Sequence, residues 1–157
     1  MFTVIDKSIL EATEDYICHQ CNCVSKHSAG VAKAIFDIYP HANVYKGRVT
    51  PSQPGTLAVR RGILKRGVIN MFAQYYPGGP VWGKYDGDYI KDDNVARLKY
   101  FRQCLFHMAH ELPNYSFAFP WGIGCGLAEG DWGEYITILK NFERYVEGDV
   151  TIYKLPV

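Results

Sequence analysis

Short apolar segments bounded by turn-forming residues recur along the chain, and each is rich in β-branched and aromatic residues. This pattern is typical of strands, because such side chains pack well on a pleated surface. We therefore predict strands at Phe2–Asp6, Tyr16–Cys23, Thr56–Arg60, Gly67–Gln74, Tyr115–Pro120 and Val150–Leu155.

Between these segments, apolar residues recur three and four positions apart, which is the period of a helix with one buried face. The pattern is clearest in Lys91–Leu112 and is repeated in Gly30–Tyr39 and Asp131–Val146. Strands that alternate with helices predict an α/β fold with helices on both faces of the sheet. A length of 157 residues suits one domain, residues 1–157, with one core.

Composition and charge narrow the classes of function. The chain is 48% hydrophobic and 21% charged, which predicts a globular protein. A net charge of +1 disfavours nucleic acid as a partner, so base stacking on the tyrosines is only a weaker alternative. No apolar run approaches the ~18 residues of a membrane helix, and the first residues lack a signal-peptide pattern. We expect a cytoplasmic protein that does not bind membranes.

Three of the five cysteines, Cys18, Cys21 and Cys23, crowd one predicted strand. They are too close for ordinary disulfides, and free thiols fit a reducing compartment. His19 lies on the same strand face as Cys21 and Cys23, and these three side chains are types that bind zinc. Structural zinc sites usually contain paired Cys-x-x-Cys units, and the sequence has no second such unit. We therefore expect no metal. His19 is either a hydrogen-bonded core residue or a group that reaches a ligand.

The turn that follows the second predicted strand is built from small residues and leads directly into a helix. Ser28, Ala29 and Gly30 precede the apolar pattern of that helix. The free N–H groups of a helical first turn and the helix dipole favour an anion. The alternative is an ordinary N-cap by Ser28, which needs no ligand.

A second such turn, Pro120–Leu127, places three glycines at alternate positions directly after a strand. Glycine weakens regular structure, so this pattern favours positive φ and a close approach of the backbone to a ligand. The spacing matches neither G-x-G-x-x-G nor a P-loop, and a purely structural tight turn is the alternative. Two such turns in one small domain predict a ligand with a diphosphate or a nucleotide.

Two further segments carry candidate chemistry. Tyr75–Tyr89, rich in glycine, proline and tyrosine, is predicted to be a long irregular loop, either functional or a tolerated insertion. The acidic residues near its end, which lack the order of a calcium loop and are expected to be solvated, are Asp86, Asp88, Asp92 and Asp93. Asp131 stands three residues before Glu134, so it is a helix N-cap, a carboxylate that orients water, or both.

Together these segments resemble the macrodomain family of ADP-ribose-binding modules over most of the chain. The resemblance rests on Cys21–Cys23, Ala29–Ala32, Ile69–Gln74 and Ile123–Leu127. The last motif, followed by Asp131-Trp132, is most similar to the branch that contains yeast-type ADP-ribose 1''-phosphate phosphatases and terminal ADP-ribose protein glycohydrolases. The resemblance implies a three-layer α/β/α sandwich with a mixed central sheet and a ligand cleft over the sheet.

The resemblance also implies contacts with a ligand. Asn22 would hydrogen-bond the distal ribose, Tyr153 would pack near the adenine, and the two small-residue turns would clasp the diphosphate. The implied ligand-binding residues are Ser8, Ile9, Asn22, Ser28, Ala29, Gly30, Val31, Gln74, Gly122, Ile123, Gly124, Cys125, Gly126, Leu127 and Tyr153.

Departures from the family pattern bear on the activity. Ser8 stands where many macrodomains have an aspartate that reads the adenine amino group. The glycohydrolase branch uses a lysine on the central strand and an acid directly after Gly-Cys-Gly-Leu. Gln74 and Ala128 stand at those places in this chain, which disfavours a covalent lysine mechanism.

The phosphatase-like interpretation makes His19 and Asp131 the catalytic residues. One would position or deprotonate water and the other would assist the leaving oxygen, while loop N–H groups stabilise the phosphate. The expectation is a hydrolase without a cofactor that acts on ADP-ribose 1''-phosphate or a related ADP-ribosyl ester. The alternative is a non-catalytic reader of ADP-ribose or of ADP-ribosylated protein.

Overall fold

A computed structural model describes residues 1–62, 65–85 and 88–156. Its strands are β1 (Phe2–Ile5), β2 (Tyr16–Asn22), β3 (Leu57–Gly62), β4 (Lys65–Gln74), β5 (Val81–Tyr85), β6 (Asp88–Asp92), β7 (Phe117–Pro120) and β8 (Val150–Tyr153). Six of them form one sheet in the order β1-β8-β7-β2-β4-β3. β3 is antiparallel to β4, and the other neighbours pair in parallel, so the sheet is mixed.

Helices cover both faces of this sheet. They are α1 (Gly30–Ile38), α2 (Asn94–Glu111) and α3 (Trp132–Glu143). Phe36 of α1 packs in one core cluster with Ile17, whereas Phe101 of α2 and Leu139 of α3 pack in the other with Cys18. Neighbouring residues of β2 thus serve opposite faces, as a strand buried on both sides requires. The predicted three-layer α/β/α sandwich is confirmed, and no described helix could span a membrane.

The segment predicted as an irregular loop contains regular structure. β5 and β6 pair as an antiparallel hairpin, with Val81 opposite Asp92. Helix α2 consequently begins at Asn94 rather than at Lys91. Asp93 is the N-cap of α2, and its side chain accepts a hydrogen bond from the Ala96 N–H. The hairpin was missed because glycine and proline, which usually mark loops, dominate the sequence that leads into it.

The expectation of a solvated acidic surface is wrong for Asp92, which is buried and forms an ion pair with Arg97. Its two carboxylate oxygens also accept hydrogen bonds from the backbone N–H groups of Tyr75 and Tyr76. Burial of a carboxylate is tolerated because each oxygen has partners. Asp86, another member of this acidic group, lies outside the described residues.

The connections after β2 and β7 explain where a ligand can bind. These strands are parallel neighbours, so their carboxyl ends meet at the same edge of the sheet. The chain leaves β2 toward α1 on one face and leaves β7 toward α3 on the other. Diverging connections of this kind open a crevice at the carboxyl ends of the strands, which is the usual ligand site of open α/β sheets.

Candidate functional site

A cleft of about 340 Å³ lies at this edge of the sheet. Its volume is within the range of ordinary small-molecule sites. The lining residues are His19, Gln20, Asn22, Ser25, His27, Ala29, Gly30, Val31, Ala32, Tyr45, Gln74, Pro77, Gly78, Pro120, Trp121, Gly122, Ile123, Gly124, Cys125, Gly126, Leu127 and Ala128. Both predicted small-residue turns therefore face one cavity, although about ninety residues separate them in the sequence.

The first turn leaves the start of α1 open. The alternative of an N-cap by Ser28 is wrong, because Ala29 occupies the N-cap position and no side chain caps the helix. Ser28 does not line the cleft, whereas Ala29, Gly30 and Val31 do. The positive φ of Gly30, +59°, turns the chain into the helix and favours glycine there. The first-turn N–H groups thus lie beside the cleft without a side-chain acceptor.

The second turn is held by its own backbone. The Cys125 N–H donates to the Gly122 carbonyl at 2.8 Å, and the Gly130 N–H donates to the Gly124 carbonyl at 2.9 Å. Gly122 and Gly124 have φ of +77° and +76°, so the glycines fit the conformation that this turn needs. Among the described residues, the N–H groups of Gly124, Gly126 and Leu127 have no hydrogen-bond partner. They are available to an anion.

The two turns approach each other across the cleft. A Cβ placed on Gly30 would lie 3.2 Å from Cδ1 of Leu127, so the leucine side chain rests on the glycine backbone. Leu127 is otherwise 67% exposed and belongs to no core cluster of the described residues. A side chain at position 30 would therefore press on Leu127, and a small shift of this exposed leucine would relieve the contact.

Two predicted ligand-binding residues, Asn22 and Gln74, lie at the floor of the cleft, and their side chains already make hydrogen bonds within the protein. Asn22 Oδ1 accepts hydrogen bonds from the Val24 and Ser25 N–H groups at 3.0 and 2.7 Å, which leaves its amide nitrogen as a donor. Gln74 accepts a hydrogen bond from Gln20 at 2.8 Å and donates to the Tyr76 carbonyl. Gln74 thus helps to order the cleft wall.

His19 lines the cleft but is only 1% exposed. Its Nε2 lies 2.6 Å from Asn70 Oδ1, and the Asn70 amide nitrogen donates to two backbone carbonyls. Asn70 Oδ1 is therefore an acceptor, so Nε2 carries the proton and Nδ1 is unprotonated. Burial lowers the pKa of His19 from 6.5 to about 4, which makes the imidazole neutral and a weak base near pH 7.

Asp131 lies outside the cleft. Its carboxylate accepts a hydrogen bond from the Gly133 N–H at 2.8 Å and caps α3. It lines a separate hollow together with Glu129 and Glu134. The structure therefore does not bring Asp131 to the cleft that His19 lines, and the capping role is the one that its contacts support.

Three of the implied ligand-binding residues, Ser8, Ile9 and Tyr153, also lie outside the cleft lining. Ser8 caps the short turn Ile9–Glu11, in which Ile9 is buried. The Tyr153 hydroxyl donates to a Glu14 carboxylate oxygen at 2.6 Å. Their contacts with a ligand stay predictions.

Several lining residues were missed from the sequence. His27 is exposed directly before the first turn, and Trp121, 39% exposed, lies within the second. The Trp121 ring lies 5.0 Å from that of Trp132, and the Lys154 ammonium lies 4.4 Å from the centroid of the Trp121 ring. The position of each residue next to or within a small-residue turn was the available signal.

Within the described ranges, no group of three His, Cys, Asp or Glu residues could hold a metal ion. Burial raises the pKa of the Cys21 thiol, and it raises the pKa of the Cys23 thiol to about 12. Both thiols are therefore protonated near neutral pH. These cysteines contribute to the core as small apolar side chains.

Comparisons with solved structures identify the fold. A macrodomain of Mycobacterium tuberculosis DarG matches with a TM-score of 0.73 and 22% identity, over 100% of this chain and 99% of that one. A macrodomain of Thermus aquaticus DarG matches with a TM-score of 0.68 and 20% identity, over 100% of this chain and 99% of that one. A Trypanosoma brucei macrodomain in complex with ADP matches with a TM-score of 0.65 and 13% identity, over 99% of this chain and 64% of that one. No family model and no curated protein matches the sequence.

Proposed function

We propose that this chain, which has the macrodomain fold, binds ADP-ribose or an ADP-ribosyl group by its diphosphate. The observation that carries the proposal is that two glycine-containing turns line one cleft and meet at Gly30 and Leu127. A similarly folded macrodomain was solved with ADP, which is a diphosphate.

Backbone groups would supply most of the attraction for this diphosphate. None of the described lining residues is lysine or arginine. The open first turn of α1 and the N–H groups of Gly124, Gly126 and Leu127 would bind the phosphate oxygens, as helix starts and glycine-rich turns do in other phosphate sites. Asn22 would donate its amide N–H to a ribose hydroxyl at the floor.

Calorimetry with ADP-ribose, ADP, AMP and adenosine tests the proposal. We expect ADP-ribose and ADP to bind at least roughly tenfold more tightly than AMP, because AMP lacks the second phosphate that the facing turn would hold. Each bound ligand should also raise the melting temperature by mass action. Equal affinity for ADP and AMP, or no binding of ADP-ribose, would contradict the proposal.

A second candidate function is hydrolysis of a phosphate or other ester on the distal ribose, such as release of phosphate from ADP-ribose 1''-phosphate. The observation that favours it is that His19, His27 and Asn22 line the cleft beside the anion donors. Water would attack phosphorus, the P–O bond to the sugar would break, and the departing sugar oxygen would take a proton. His27 is the exposed imidazole that could transfer protons. The buried His19 ring contacts Asn70 and the Cys21 sulfur, so it would support the cleft floor.

Substitutions at Asp131 distinguish a catalytic role of this residue from its role as the N-cap of α3. Asp131→Ala should lower the free energy of unfolding by about 1 kcal/mol, and Asp131→Ser should restore it, because serine can cap α3. We expect neither variant to change phosphate release per folded molecule, whereas His27→Asn should reduce it. Phosphate assays beside urea unfolding measure both effects.

Loss of turnover in the stable Asp131→Ser variant would instead support the catalytic role predicted from the sequence. Binding of ADP-ribose without turnover of its 1''-phosphate or of protein-linked esters by the unmodified chain would favour the reader alternative.

A further inference from the structure

A buried ion pair lies behind one wall of the cleft. Arg97 of α2 and Asp92 of β6 are 1% and 0% exposed and approach to 2.7 Å. Neither lines the cleft. In other proteins, replacing a buried ion pair by apolar residues is often neutral or stabilising. A contribution to the free energy of unfolding therefore does not by itself explain why this pair is present.

The hydrogen bonds of Arg97 give that explanation. Its Nη1 donates to the carbonyls of Gly78 at 2.7 Å and Ala128 at 3.3 Å, and its Nη2 donates to the carbonyls of Tyr76 and Gly79. Gly78 belongs to the wall that follows β4, and Ala128 directly follows the glycine motif of the second turn. Both line the cleft. One guanidinium therefore joins two segments that face the ligand.

Other contacts support the same connection. Asp92 accepts hydrogen bonds from the N–H groups of Tyr75 and Tyr76. The ion pair therefore holds both the N–H groups and the carbonyl groups of the 75–79 segment. A Cβ on Gly79 would lie 2.0 Å from a Glu129 carboxylate oxygen, so the Glu129 side chain also lies against this segment. The second turn is thus fixed from behind by side chains that never reach the cleft.

We propose that Arg97 is a positioning residue that sets the spacing between the 75–79 segment and the second turn, and thereby the width available to the diphosphate. The inference rests on the proposed function for its effect on binding. Lysine cannot replace it, because an ammonium is a point charge without the planar fork that donates in two directions at once.

Arg97→Lys tests the proposal, with Arg102→Lys on an exposed part of the same helix as the matched control. The lysine keeps a cation beside Asp92, so the variant is expected to fold. We expect faster hydrogen exchange of the amides in both 75–79 and 122–130, and an affinity for ADP-ribose that falls roughly tenfold or more. The affinity for adenosine, which has no phosphate, should change much less. The control should match the unmodified chain in each measurement.

Normal exchange in 122–130 together with unchanged ADP-ribose affinity in Arg97→Lys would overturn the proposal, as would an equal loss for ADP-ribose and adenosine. Should Arg97→Lys not fold, the double variant Asp92→Asn with Arg97→Gln removes both buried charges, keeps polar side chains at both positions and must show the same faster exchange. If the unmodified chain does not bind ADP-ribose, the proposed function fails, while the exchange measurement still decides whether Arg97 holds the two segments.

Discussion

Gly124→Ala is expected to weaken ADP-ribose binding by at least about 100-fold, because a misplacement of about 1 Å in a binding group can have that effect. Gly124 has φ of +76°, where an L-residue costs roughly 1–2 kcal/mol. The added Cβ would also lie 2.5 Å from Cε1 of Tyr135, a buried residue of the core on the α3 side. The turn would therefore have to shift, and the N–H groups proposed to bind the diphosphate would shift with it.

Gly47→Ala provides the matched control for this prediction. Gly47 has a similar φ of +74°, no atom lies within 4 Å of its added Cβ, and it does not line the cleft. Calorimetry should show normal affinity for Gly47→Ala and a severe loss for Gly124→Ala, with both variants checked for folding by circular dichroism. Normal affinity in Gly124→Ala would mean that the second turn does not contact the ligand.

Lowering the pH from 6.5 to 4 is expected to reduce the free energy of unfolding by up to about 3 kcal/mol through His19 alone. Burial depresses the pKa of His19 to about 4 in the folded protein, against 6.5 in an exposed histidine. Between these values the unfolded chain takes up a proton that the folded protein does not. Stability from this source is therefore complete above pH 6.5 and is lost progressively as the pH falls toward 4.

Urea unfolding at several pH values measures this effect as a difference between variants, because carboxylates also titrate in the lower part of the range. His19→Gln should reduce the slope of stability against pH relative to the unmodified chain. An identical slope in His19→Gln and the unmodified chain would show that the buried imidazole does not have the depressed pKa that its surroundings indicate.

The neutral state of His19 also limits its chemistry. An imidazole with a pKa of about 4 removes a proton from water poorly near pH 7. Nε2 donates to Asn70, and Nδ1 lies 3.8 Å from the thiol sulfur of Cys21, so protein groups already hold both ring nitrogens. The sequence left open whether His19 is a core residue or a ligand contact; these contacts are those of a core residue, and contact with a ligand stays a prediction.

The sheet, the helices and the two turns could be predicted because each leaves a local pattern. A short apolar run, Tyr16–Cys18, marks β2, and spacing by three and four marks α3. The glycines of the second turn are conspicuous because regular structure disfavours them. The side to which each connection leaves its strand was implied only by the family resemblance, and it is this choice that opens the cleft.

Other features depend on contacts that no local pattern shows. Asp131 looks suited to a catalytic role from its distance to the glycine motif, but the Gly130–Gly124 hydrogen bond folds the turn so that Asp131 faces a different hollow. The role of Arg97 depends on carbonyl groups at Gly78 and Ala128, which any residue could supply. Backbone acceptors leave no signature in a sequence, so such an arginine resembles an ordinary surface residue of a helix.

The Leu127 side chain lies over the backbone of Gly30, where the two turns approach each other. Since that side chain is 67% exposed, it is the group that a ligand entering between the turns would have to displace. Association that waits for a side chain to move aside is slower than simple docking. The rate of that movement would then govern how quickly a captured ligand is exchanged for another.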